Sequence, residues 1–219
     1  MQDSVILIDK PAGMTSFGVV ARVRRVLSRQ LGKKAKVGHT GTLDPFATGL
    51  MILVTGKECK NAGSYSKLDK VYDAIIELGR TSTTGDPEGE LTVVSSAIPT
   101  EDEIGAILKG FVGDIAQIPP IYSAIKIDGQ RAYKLARAGK SVEMPSRQVK
   151  IYSLDLVDYD YPYLKVRANV SSGTYIRTLA EDIGRKLKTG AYCEQLRRIS
   201  IANWQVADAK TLAEMGIVD

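Results

Sequence analysis

Negative charge is missing from one stretch of this 219-residue sequence: from Lys10 to Lys57 there are nine Lys and Arg residues but a single acid, Asp44. Histidine and cysteine are scarce throughout, with His39 the sole histidine and Cys59 and Cys193 the only thiols. Two distant cysteines cannot build a disulfide framework or a zinc site, and one imidazole argues against a histidine-built metal centre. No apolar run approaches the roughly 20 residues that a membrane-crossing helix needs. The N-terminus reads as a strand, Val5–Ile8, in place of the basic-then-apolar layout of a secretory leader. Nucleotide and calcium signatures fail as well. "LVTGKECK" lacks the glycine spacing and the following Ser or Thr of a phosphate loop, and "GDPEGE" does not keep calcium-loop spacing. No dinucleotide fingerprint follows any strand. The common metal and nucleotide chemistries are disfavoured, and a soluble protein of a reducing compartment is the expectation.

What is present is globular in character. Hydrophobic residues make up 44% and charged residues 25%, which disfavours wholesale disorder, and a net charge of +5 favours a polyanionic partner. After Val5–Ile8 and the turn-rich "DKPAGMTS", Ser16 reads as the N-cap of a helix whose apolar spacing runs through Val19, Val20, Val23, Val26 and Leu27 to Gly32. Its polar side carries Arg22, Arg24, Arg25 and Arg29, either a solvated basic face or a phosphate-contacting surface. Strands are expected at 49–56, 71–79, 91–94, 149–157, 163–170 and near 196–202. Thr100 and Glu103 form a capping-box signature that opens a helix to about Lys109; further helices are expected over roughly 175–187 and after Asp208. Without strict strand–helix alternation, this order points to an α+β fold with a mixed, mainly antiparallel sheet. Residues 119–148, rich in Pro, Gly, Lys and Arg, read as an excursion from the core.

Asp44 sits in "GHTGTLDP", where Gly38, Gly41 and Pro45 permit unusual backbone shapes. It can serve as an ordinary Asp-Pro turn. Alternatively, its basic surroundings keep it ionised, which suits a nucleophile or base better than a proton donor. In "SSGTYIRTLAEDIG" (171–184), Tyr175 and Arg177 fall at a strand-to-helix junction. Arg177 could meet a carboxylate of the site, or simply pair with Glu181 one helical turn on.

Seven stretches, "DKPAGMTS", "GHTGTLDPFATGLM", "KVYDAIIELG", "GDPEG", "PPIYSAIKIDGQRAY", "SSGTYIRTLAEDIG" and "LRRISI", occur in one order across nearly the whole chain. Together they resemble the bacterial tRNA pseudouridine synthase B family, which isomerises the T-arm uridine at tRNA position 55. The resemblance implies a single catalytic domain over 1–219 with an RNA-gripping thumb inserted at about 119–148; members of the family commonly add a C-terminal RNA-binding domain of the PUA type, and its absence here is expected as a departure from the family. It makes Asp44 the catalytic aspartate. Tyr72 becomes the ring that stacks on the flipped base, Arg177 the arginine that pairs with the aspartate, and Tyr175 and Leu196 the lining of the same pocket. His39 would fill the space the base leaves, and Lys10 and Pro11 would support the site from beneath. Phosphate contacts would come from Arg22, Arg24, Arg25 and Arg29, and from Lys126, Arg131, Lys134 and Arg137 of the thumb. The implied enzyme is a cytoplasmic monomer that binds the tRNA T-arm and needs no cofactor, metal, membrane or guide RNA. A guide-dependent relative, a non-catalytic RNA binder and a base-removing glycosidase are the alternatives. "GKECKN" (56–61) departs from the family pattern but keeps Lys60.

Overall fold

The computed structural model describes residues 4–123, 125–127, 129–139 and 143–217. In chain order the elements begin with β1 (Val5–Lys10), α1 (Ser16–Leu31), β2 (Val37–His39), β3 (Thr48–Thr55), a 3-10 turn (Gly56–Asn61) and α2 (Ala62–Ser66). Then come β4 (Lys70–Leu78), β5 (Arg80–Ser82), β6 (Leu91–Val93), α3 (Glu101–Lys109), β7 (Gly113–Gln117), β8 (Lys126–Ile127), β9 (Gln130–Arg131) and α4 (Ala132–Arg137). The chain closes with β10 (Arg147–Asp160), β11 (Tyr163–Val170), α5 (Ile176–Leu187), β12 (Ala191–Ile201), β13 (Trp204–Gln205) and a 3-10 turn at Val206–Asp208. Two compact units result, Met1–Tyr72 with Arg197–Asp219, and Asp73–Leu196. β4 and β12 each run through the boundary.

In the first unit β3 is the central strand. β1 pairs with it antiparallel from Val5↔Val54 to Lys10↔Gly49, and β2 pairs antiparallel from Val37↔Thr55 to His39↔Leu53. The end of β12 lies parallel to it, Arg197↔Thr48 and Arg198↔Gly49. The near-continuous apolar run of β3 is what a strand covered on both faces requires, and all of it but Thr48 is buried. Leu50, Ile52 and Ile201 form a core cluster on which Val5, Leu7, Tyr65, Leu68 and Trp204 pack. α1 buries Val19, Val20 and Val23 and ends at Gly32 in the left-handed region (φ 64°). Its N-cap, however, is Thr15, whose side chain accepts from the Gly18 N–H at 2.9 Å. Ser16 is already helical, and its hydroxyl is committed elsewhere.

The second unit holds an antiparallel meander in which β10 pairs with β11 (Ile151↔Val170 to Asp160↔Tyr163, with two register shifts) and with β7 (Arg147↔Gln117 to Ile151↔Gly113). α3 carries the full capping box of Thr100 and Glu103, and it packs beside α5 and over β10. The polar stretch after β4 is not a plain loop. Gly79 turns the chain (φ 86°), and β5 then pairs with β6, Arg80↔Val93 to Ser82↔Leu91. Within 119–148 the structure places the β8–β9 ribbon and the six-residue α4. The α+β class with a mixed, mainly antiparallel sheet holds. The helix expected after Asp208 does not form. Asp208 ends a 3-10 turn, and the following segment is one capped turn in which Thr211 and Glu214 exchange side-chain and backbone hydrogen bonds. Gly216 (φ 66°) stops it there, too early to repay the cost of nucleating a helix. Among the described residues no helix is long and apolar enough to cross a membrane.

Candidate active site

In the first unit, Asp44 lies half-buried on the irregular segment between β2 and β3, open enough to meet a ligand. The backbone on either side of it is tied down. Leu43, immediately before, exchanges two hydrogen bonds with the buried Ser16 hydroxyl: its N–H donates at 2.8 Å and its carbonyl accepts at 2.9 Å. Pro45, immediately after, offers its carbonyl to the Gly13 N–H at 2.8 Å and to the Lys10 ammonium at 3.1 Å. The Lys10 side chain is fully buried and also donates to the carbonyls of Pro11 and Met14, both at 2.7 Å. The Asp44 carbonyl itself accepts from Ala47 N–H at 3.2 Å, closing the turn.

Further cations frame this segment. Arg198, 1% exposed, donates from Nε to the Leu50 carbonyl of β3 at 2.7 Å and from Nη2 to the Gly41 carbonyl at 3.2 Å, so it ties the start of the segment to the strand that follows it. Its backbone passes so close to Gly49 that a Cβ there would sit 2.3 Å from the Arg198 oxygen, at φ +103°; glycine is the only residue that fits. On β4, Lys70 and Tyr72 share the buried face of the strand. Lys70 donates to the Ser66 carbonyl at 2.9 Å and to that of Leu68. Burial, with the Arg198 guanidinium next, pushes the Lys70 ammonium down to about 8. Tyr72 is 7% exposed. His39 is half-buried at the end of β2, and Thr40 after it is buried, with N–H and hydroxyl both on the Ile52 carbonyl.

The second unit carries Arg177, Tyr175 and Leu196. Arg177, in the first turn of α5, is 3% exposed; its Nη1 pairs with Asp86 Oδ2 at 3.1 Å and donates to the Thr84 carbonyl at 2.7 Å, while Nη2 donates to the Tyr122 carbonyl at 2.8 Å. Asp86 in turn accepts from the Thr84 hydroxyl at 2.5 Å and the Glu88 N–H at 3.1 Å. Asp86 was not among the residues singled out from sequence; its acid stands in the "GDPEG" stretch, and only the fold reveals its partner. Tyr175 caps α5, and its backbone exchanges two hydrogen bonds with the buried Gln117 amide, at 2.8 and 3.0 Å. The Arg147 guanidinium lies 5.1 Å from the Tyr175 ring centre, and Leu196 is 7% exposed.

The basic residues divide by their freedom. Arg25 and Arg29 of α1 are exposed, whereas Arg24 donates to the Val37 carbonyl at 2.8 Å and lies 5.8 Å from the ring centre of Phe17, which is itself 64% exposed. Arg22 is half-buried, Pro11 exposed, and Arg131 and Lys134 are exposed on β9 and α4. The side chains of Lys126 and Arg137 lie outside the described residues.

Against known proteins, a family described as "TruB family pseudouridylate synthase (N terminal domain)" matches residues 27–176. A protein named tRNA pseudouridine synthase B from Dechloromonas aromatica is 43% identical over 217 residues, which cover 99% of this chain and 71% of that protein. Its namesake from Opitutus terrae is 44% identical over 211 residues, 96% of this chain and 86% of that one. Among solved structures, a crystal structure of a Cbf5–Nop10–Gar1 complex matches with a TM-score of 0.73 and 29% identity. The match covers 97% of this chain but spans only 53%, about half, of that one.

Proposed function

The chain belongs to the TruB family of pseudouridylate synthases, and from that premise we propose that it isomerises the T-arm uridine of tRNA to pseudouridine, without a guide RNA. The reaction breaks the N1–C1′ glycosidic bond, turns the base, and joins C5 to C1′; the proton lost from C5 is balanced by one gained at N1. No redox partner or group donor enters. Three routes fit an aspartate here: attack on the sugar carbon, addition to the base, or removal of a sugar proton. Each begins with the carboxylate ionised, and the cation-rich surroundings of Asp44 favour that state. Because the target base is stacked in a loop, it must first be everted, at a cost of a few kcal/mol. Tyr72 is the ring proposed to stack on it, and Tyr175, Arg177, Leu196 and His39 are the remaining residues proposed for the base pocket. The segment 119–148 is proposed as the RNA-gripping thumb, and the cytoplasm as the place of work.

The observation that carries the reading is Asp44: the one acid of a cation-rich stretch, half-open, on a backbone pinned at both neighbouring residues. The experiment is incubation with an unmodified tRNA transcript, followed by carbodiimide mapping of any pseudouridine. The wild-type protein should mark a single T-loop uridine. Asp44→Asn should bind the transcript with nearly unchanged affinity and form no product. Turnover by that variant would overturn the assignment, and release of free uracil by the wild type would make the protein a glycosidase instead.

A further inference from the structure

We propose that Ser16 is a positioning residue for Asp44, an inference that rests on the isomerase reading above. The sequence reads Ser16 as a helix cap, but Thr15 fills that role, so the Ser16 hydroxyl is released for another use. The use it finds is specific. At 3% exposure it accepts from the Leu43 N–H at 2.8 Å and donates to the Leu43 carbonyl at 2.9 Å. One hydroxyl thereby replaces the pair of bonds a neighbouring strand would supply, and it does so at the residue covalently attached to Asp44. Irregular backbone at this point has no ladder to hold it, because β2 ends at His39 and β3 begins only at Thr48.

Geometry makes the hydroxyl's role separable from that of Lys10. Lys10 and Gly13 hold the far side of the aspartate through Pro45, whereas the Ser16 side chain fixes the near side. With both in place, the Leu43–Asp44 peptide and the Pro45–Phe46 peptide are tied down, the Ala47 N–H holds the Asp44 carbonyl between them, and the Cα–Cβ bond that carries the carboxylate is restrained with them. Losing the near-side bonds lets the Leu43–Asp44 peptide rotate and leaves two buried polar groups unpaired. A shift of about 1 Å at a reacting group costs on the order of a hundredfold in rate. Since Ser16 is only 3% exposed and its hydroxyl is engaged by Leu43, its loss should leave RNA affinity nearly unchanged.

The test uses three variants of the full chain. Ser16→Ala removes the hydroxyl. Ser16→Thr and Ser16→Val add nearly the same bulk but differ in having or lacking it, so packing damage is common to both. In single-turnover assays on tRNA, Ala and Val should slow pseudouridine formation between tenfold and a hundredfold with tRNA affinity within about twofold of wild type, and Thr should recover most of the rate. Hydrogen exchange supplies a readout that does not depend on the isomerase reading. In Ala and Val, the Leu43 amide should exchange at least about tenfold faster while the amides of α1 and β3 keep their protection. Equal rates for Thr and Val, a wild-type rate for Ala, or unchanged Leu43 exchange would each overturn the proposal. Should the wild-type protein form no pseudouridine, the isomerase reading fails, and the exchange experiment still decides whether Ser16 holds the segment.

Discussion

The two units bury positive charge in different ways. In the second, the buried guanidinium of Arg177 meets a carboxylate, Asp86, with both side chains about 5% exposed or less. In the first, Lys10, Lys70 and Arg198 are fastened to main-chain carbonyls: three for Lys10, two for Lys70 and two for Arg198. A carboxylate cancels a cation, whereas a carbonyl dipole satisfies its hydrogen bonds and leaves its net charge in place. The segment bearing Asp44 is fastened through such carbonyls, by Lys10 at Pro45 and by Arg198 at Gly41.

The sharpest way to break this contrast is to remove one partner from each arrangement. Asp86→Asn keeps the shape and some hydrogen bonding but removes the carboxylate charge from a buried ion pair, and should cost about 3–5 kcal/mol of unfolding free energy. Lys10→Met strands carbonyls, one of which still receives the Gly13 N–H, and should cost about 1–3 kcal/mol. Denaturant titrations of both variants give the comparison directly. A larger loss at Lys10 than at Asp86 would mean that the dipole-held ammonium is the stronger fastening, and the contrast would be reversed.

Much of the fold was legible because local chemistry and tertiary role agree. β3 reads as a doubly covered strand, the Thr100–Glu103 box opens α3, and Gly32 closes α1, all from residues near one another in sequence. Asp44 stands out in the sequence for a different reason, the lack of any other acid from Lys10 to Lys57. What stayed hidden depends on distant partners or on which of two adjacent residues takes a role. Thr15 and Ser16 are equally good caps on paper, and only the proximity of Leu43 decides between them. Asp86 looked like part of a failed calcium loop because its guanidinium partner lies far along the chain. Gln117, one of the best-buried polar side chains, works as a stand-in for backbone at Tyr175, and nothing in "GDIAQ" announces it.

Lys70 sharpens the contrast from the side of pH. Its ammonium is pushed down to about 8, chiefly by burial and then by Arg198, whereas in the unfolded chain a lysine titrates near 10.4. Between these values the unfolded state holds the proton that the folded state has released, so the stability due to this group rises with pH across that window. Measured as wild type minus Lys70→Met, unfolding free energy should shift in favour of the wild type by about 1–2 kcal/mol from about pH 7.5 to about pH 9.5. A flat difference would show the carbonyls of Ser66 and Leu68 holding the ammonium as well as water does.

The smallest effect concerns the outer charge of the first unit, where the question is which cations remain available to phosphate. Arg25 and Arg29 are exposed on α1, but Arg24 spends one nitrogen on the Val37 carbonyl and rests its guanidinium beside Phe17. An arginine already fastened to backbone is poorly placed to release a counterion when RNA binds. In tRNA binding measured against salt concentration, Arg25→Ala and Arg29→Ala should each flatten the logarithmic slope by close to one phosphate contact, about 0.7–0.9, with melting temperature unchanged. Arg24→Ala should leave the slope nearly as it was and lower stability instead, since β2 loses a tie to the helix. If Arg24 changed the slope as much as its exposed neighbours, the helix would be meeting RNA along its inner edge, and the division between fastening cations and contacting cations would not extend to α1.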